Sequence, residues 1–156
     1  MARFPAVVIM VVVVMVAACS STDAGSRYLE IVNPVNCALE RIQAIERGAS
    51  LGDGSFDPMA LGSVQAGFAE LASLRRTAVR ELLNEKWPGS VSGEMDAMAE
   101  MWALVAERER NLADAYDLGA YNLLAVQHMN SPLEGANPGL IRAQLDLGSA
   151  EETNRC

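Results

Sequence analysis

The chain has one histidine, one lysine and three cysteines in 156 residues, and only 5% of it is aromatic. The single histidine, His128, excludes any catalytic or metal site that needs two. Twelve basic residues face twenty acidic ones, a net charge of −8, and no basic run concentrates the positive charge. A polyphosphate backbone is therefore not an expected partner, and no nucleic acid is expected. The length allows one small core and no second domain core. The 51% hydrophobic content is too high for a disordered chain.

That hydrophobicity is unevenly placed. Phe4 to Ala18 carries no charge, and Arg3 precedes it. Fifteen residues fall short of the ~20 that a membrane-spanning helix needs. A basic start, an apolar centre and small residues at the end are the pattern of a secretory signal peptide. We expect residues 1–18 to be removed.

Val16-Ala17-Ala18-Cys19 resembles the lipobox of bacterial lipoproteins: an aliphatic residue, two small ones, then cysteine. The resemblance implies that the Cys19 thiol takes a diacylglyceryl group and that cleavage leaves Cys19 as the first residue. Acyl chains supply ~0.8 kcal/mol per buried methylene, so two or three hold a protein stably at a membrane. The implied address is the exported bacterial envelope, with the membrane as a partner through the lipid anchor. Residues 19–27 read as the lipidated cysteine and a short polar tether. If extended, Ser20 to Ser26 reaches only ~25 Å. Without Arg3 the mature charge is −9. Cys37 and Cys156 remain as an even pair in an oxidising compartment, and we expect a disulfide between them.

Residues 28–156 read as all-α: an antiparallel three-helix bundle of long helices with a short fourth C-terminal helix. In the first helix, Tyr28 to Arg47, Tyr28, Val32, Val35, Leu39 and Ile42 form one apolar stripe. Pro34 predicts a kink, or a restart capped by Asn33. Cys37 lies off the stripe, where a returning tail could reach it. The second helix opens with Asp57 as cap, Pro58 at its first position and Phe56 against Leu61. Its stripe runs Leu61, Val64, Phe68, Leu71, Arg75, Ala78 and Leu82, and Trp87-Pro88-Gly89 ends it. A third helix spans Ser92 to Met129 with a bend expected near Gly119. Its frame is Met95, Met98, Trp102, Val105, Leu112, Tyr116, Leu123 and Val126. His128 then sits in a last turn that favours a cation. Asn137-Pro138 starts the fourth helix, which Gly148 ends, and the tail from Ser149 is polar. This layout, with eleven Arg against one Lys, resembles small helical lipoproteins of actinobacteria, a likeness that extends to fold and address only.

Arg75 and Glu109 interrupt the apolar stripes of facing helices. They predict a structural ion pair, and Arg75 could also stack on Trp102. Met95, Met98 and Met101 are spaced like soft Cu(I) ligands, but helical steps of three fan them out and two lie on the core stripe, so we expect core packing and no metal. Asp53, Ser55 and Asp57 open like a calcium loop that fails at Pro58 and Val64, leaving a turn and a helix cap. His128, near Asn130 and Ser131, is the sole general-base candidate, and no catalytic set accompanies it. We therefore expect no enzyme and no cofactor, but a membrane-anchored binding or scaffolding module with a protein partner. The alternative is a carrier of a small apolar ligand or lipid, with Gly62, Ala66, Gly67 and Gly119 keeping an interhelical cleft open.

Overall fold

The computed structural model describes residues 19–51, 56–131, 135–153 and 156, with side chains from Asp23 onward. The expected signal peptide, the Cys19 side chain, and Asp53 and Ser55 of the calcium-like spacing lie outside the described residues. The fold is all-helical. Among the described residues it has α1 (Cys19–Ala49), a 3-10 turn (Pro58–Ala60), α2 (Leu61–Asn84), α3 (Ser92–Ala113), α4 (Leu118–Met129), α5 (Pro138–Gln144) and α6 (Ala150–Thr153). No described helix is long and apolar enough to cross a membrane.

The expected coil tether is helical. Residues 19–27 form the first turns of α1, because this segment has something to pack on. Gly25 lies against the Leu147 side chain and the Leu145 carbonyl, where an added Cβ would sit 3.1 and 3.2 Å away. Arg27 reaches Glu81 of α2 and Glu85 just past its end at 3.0 Å each, and Glu30 on its own helix at 3.1 Å. The guanidinium holds the Glu85 carboxyl below its usual range. Pro34 does not interrupt α1. It is exposed, so water can serve the carbonyl that loses its helical donor.

The α1 core face is Tyr28, Ile31, Val32, Val35, Ala38 and Ile42, each at most 3% exposed. Leu39, expected on that face, is 36% exposed. The reason is architectural. α2 packs along both α1 and α3, whereas α1 and α3 approach each other at few points. Side chains turned from α1 toward α3 therefore line a cleft instead of a closed interface.

Tight contact between α1 and α2 depends on Gly67, where a Cβ would stand 2.8 Å from Ile42 Cγ1. The expectation that small residues keep a cleft open is thus corrected at this point. Gly67 lets Ile42 fill the space, Gly62 and Ala66 face solvent, and a Cβ at Gly119 would meet only the Asp117 cap oxygen.

The expected long third helix is two helices. The Asp117 side chain accepts from Ala120 N at 2.8 Å and starts α4. Gln65 of α2 donates to the Ala115 carbonyl exposed by the break. Those two contacts satisfy backbone groups that a continuous helix would have paired itself. Past the break the apolar frame fails: Tyr116, Leu123 and Val126 are 89, 60 and 48% exposed. Instead α4 buries Tyr121 in a second small core with Val64 and Leu112, flanked by Phe56 and Phe68. The Tyr121 hydroxyl donates to Glu46 at 2.7 Å, and burial followed by that carboxylate pushes its pKa up.

α5 begins where expected, with Asn137 Oδ1 accepting from Gly139 N and Leu140 N. It ends earlier than Gly148, at Gln144. Asp146 takes a positive φ of 55°, and Leu147 N closes back on the Arg142 carbonyl at 2.9 Å. The tail is not coil throughout, since Ala150–Thr153 forms α6. Cys37 and Cys156 form a disulfide with Cα atoms 5.3 Å apart, which draws the tail against α1.

Candidate functional site

The space that α1 and α3 leave open above α2 is a cleft of about 350 Å³. α1 contributes Val32 and Val35 to its wall, with Asn36, Leu39, Glu40 and Gln43 also lining it. α3 contributes Met98 and Trp102, α2 contributes Arg75, and α5 closes the remaining side with Pro138 and Arg142. The volume lies in the lower part of the range of small-ligand pockets, ~300–1,000 Å³. Mostly apolar walls with a few convergent polar groups are the usual make-up of such a site.

Both arginines are buried, at 7% exposure for Arg75 and 9% for Arg142. Arg75 is placed by the α2 stripe, one turn past Leu71. Its Nε donates to both Glu109 oxygens at 3.1 and 3.0 Å, and its Nη2 to Oε1 at 2.7 Å. Its Cζ stands 5.0 Å from the Trp102 ring centroid. The ion pair and the aromatic stacking are made together. Burial pushes the Glu109 carboxyl up, and the Arg75 guanidinium pulls it back toward ionisation.

Arg142 is held differently. Its Nε donates to the Gly148 carbonyl at 2.9 Å and its Nη2 to the Ser149 carbonyl at 2.7 Å and to Thr153 Oγ1. No carboxylate among the described residues pairs with it, whereas Arg75 has Glu109. Tyr28, at the same end of the cleft, has its hydroxyl pKa raised by burial, against the opposing effect of Arg142. Sequence reasoning missed Arg142. The available signal was an arginine beside Ile141 in a short apolar helix, just ahead of a Gly-Ser turn with carbonyls to offer.

The remaining candidates fall elsewhere. Met95 and Met98 are 0 and 2% exposed in the main core, and Met101 packs against it. A Cβ at Gly135 would meet Met101 Sδ at 2.7 Å. Among the described residues no group of three His, Cys, Asp or Glu side chains could hold a metal. Asp57 caps the 3-10 turn, accepting from Met59 N at 2.9 Å. His128 lies on α4, a different helix from the methionines. Its Nδ1 is buried with no partner, and burial followed by Arg108 holds its pKa below 6.5. His128 does sit in the last turn of its helix, as expected, and burial and Arg108 favour the neutral imidazole there. The Ser131 carbonyl accepts from Arg108 Nη1 at 2.6 Å. No family model matches the chain, and neither a curated protein nor a solved structure matches it.

Proposed function

We propose that this protein is a lipid-anchored lipoprotein of the bacterial envelope that acts by binding or scaffolding and not by catalysis. The observation that carries this reading is Val16-Ala17-Ala18-Cys19 at the end of a charge-free segment. Lipidation at Cys19 would place an acidic helical domain at the membrane surface, with α1 starting at the anchor. In-cell crosslinking followed by mass spectrometry tests both halves of the proposal. The expected result is a diacylated N-terminal Cys19 peptide and a reproducible protein neighbour. In a Cys19→Ser variant, labelling with an alkynyl fatty acid should vanish and the protein should leave the membrane fraction. An N-terminus at Met1, or membrane retention of that variant, would overturn the anchor.

A second reading is favoured by the cleft itself. A carrier of a small ligand needs an apolar pocket with a few fixed polar groups, and the space between α1, α3 and α5 has both.

A further inference from the structure

Helix α4 carries no Asp, Glu, Lys or Arg. Every other α-helix among the described residues carries at least one. Yet of its twelve residues only Tyr121 is buried. Its outer face holds a regular seam. Gly119, Leu123, Val126 and Asn130 are all exposed, and their 4-3-4 spacing is that of the contact positions of a coiled coil. Met129, beside the seam, is 75% exposed. Large apolar side chains grouped on a water-facing surface, unlike scattered ones, mark a contact surface.

The polar groups on this face select its occupant. They are the amides of Asn122, Gln127 and Asn130, all exposed. A bilayer would strip water from them and return no hydrogen bond. The face is also far from the anchor, since the Tyr121 hydroxyl ties α4 to Glu46, about 40 Å along α1 from Cys19. A second copy suits these groups. An amide has both donors and an acceptor, so it can pair with itself across a two-fold axis, which two carboxylates cannot do. In a chain of net charge −8, a face without charges is also one where two copies meet with least repulsion.

The direction of α4 fits such a pair. Tyr121 packs with Leu112 of α3. One turn earlier on α3, Arg108 reaches the His128 and Ser131 carbonyls at 3.5 and 2.6 Å. α4 therefore returns antiparallel along α3. A two-fold axis along the membrane normal keeps both anchors in one leaflet and sets the two seams side by side.

We propose that α4 pairs with α4 of a second copy of this chain, parallel and in register, within one membrane. Leu123 and Val126 then meet their own copies, and Asn130 against Asn130 fixes the register. This rests on the anchor reading and adds the partner. The helix is already folded on the bundle, so pairing requires no ordering of it. Its short seam offers far less than the ~800 Å² per partner of a standard interface. The pair is therefore weak between free copies and forms when anchoring confines both to one plane.

The test places photoreactive p-benzoylphenylalanine at position 127, beside the seam, in the full chain, and irradiates intact cells. The expected product has twice the mass of the chain, and mass spectrometry finds two α4 peptides joined. Val126→Asp sets like charges face to face and should cut this product at least about tenfold. Co-expressing Val126→Asp with Val126→Lys should return it to within about twofold of the parent, which also shows that the variants fold. Leu104→Asp, on the exposed surface of α3, should leave it within about twofold. Cys19→Ser should release the chain from the membrane fraction and cut the product at least about tenfold. No product, a product joining α4 to a different protein, or failure of the charge pair to restore it would overturn the pairing and leave the anchor standing. A Cys19→Ser chain still held in the membrane and still crosslinked would overturn the anchor and leave the pairing standing. A released chain that crosslinks as well as the parent would overturn the dependence of the pair on the membrane.

Discussion

Glu109 receives the Arg75 guanidinium through three contacts of 2.7–3.1 Å, with both side chains 8% exposed. The pair joins α2 to α3 beyond Trp102, whose ring lies beneath the same guanidinium. Desolvating two charges opposes folding, and their attraction offsets much of that cost only while both are present. Removing one partner therefore costs more than removing both. Glu109→Leu and Arg75→Met should each lower stability by about 3–5 kcal/mol. The double variant should lie close to the parent or above it. Urea unfolding of the four proteins gives the cycle, and additive single effects would show that the two side chains do not act as a pair.

Much of this arrangement is legible in the sequence because the informative residues break a pattern. Arg75 and Glu109 stand out against apolar stripes, and Asp57 and Asn137 open helices with the side-chain contacts their residue types predict. Legibility fails where tertiary contacts overrule periodicity. The apolar frame carries across residue 113 from Leu112 to Tyr116, with its bend expected only near Gly119, but the Asp117 cap and the Gln65 bond to Ala115 stop the helix earlier. Nothing in residues 20–26 announces a helix, since their partners, Leu145 and Leu147, lie near the far end of the chain. The cleft was also out of reach. It arises from how far apart α1 and α3 stand, and Arg142 enters it from a segment whose sequence reads simply as a short apolar helix.

Gly67 has a defined steric task. Alanine in an exposed helical position usually gains about 1 kcal/mol over glycine. Here its Cβ would stand 2.8 Å from Ile42 Cγ1. Ile42 is fully buried and β-branched, so it has little freedom to yield. Gly67→Ala should therefore destabilise by about 1–3 kcal/mol despite its better helix propensity. In an Ile42→Ala background the obstruction is gone, and the same change should stabilise. Thermal unfolding of the two pairs reads the change of sign. A stabilising Gly67→Ala in the parent would mean that α1 and α2 can separate at little cost.

His128 predicts a pH dependence with a defined sign. Burial and then Arg108 hold its folded pKa below the ordinary 6.5. As pH falls, the unfolded chain takes up this proton before the folded one does. The stability tied to the neutral imidazole is present above the unfolded pKa and lost as pH falls through the folded one. A His128→Gln variant lacks that titration, while Glu109, which carries the opposite sign, is common to both proteins. The difference in stability, parent minus variant, should therefore shrink between about pH 7.5 and pH 5.5. Urea midpoints across that interval measure it, and a difference that grows on acidification would contradict the buried neutral form.

The disulfide encloses most of the domain, with Cys37 and Cys156 separated by 119 residues. In the chain-entropy account a loop of that length stabilises by roughly 4–5 kcal/mol. What it holds locally is the tail. Thr153 accepts from Arg142 through its hydroxyl and from Asn33 Nδ2 at 3.4 Å through its carbonyl. Arg142 in turn forms one side of the cleft. Cys37→Ser with Cys156→Ser should thus act at two scales. Global stability should fall by several kcal/mol. In native conditions, amide exchange should accelerate over residues 149–153 before it changes in α2, whose Leu71 and Ala72 are fully buried. The orientation of Arg142 should loosen with the tail while the helix content stays near the parent's. Unchanged exchange over residues 149–153 would show that α6 docks through its own contacts and that the covalent link is dispensable for the cleft.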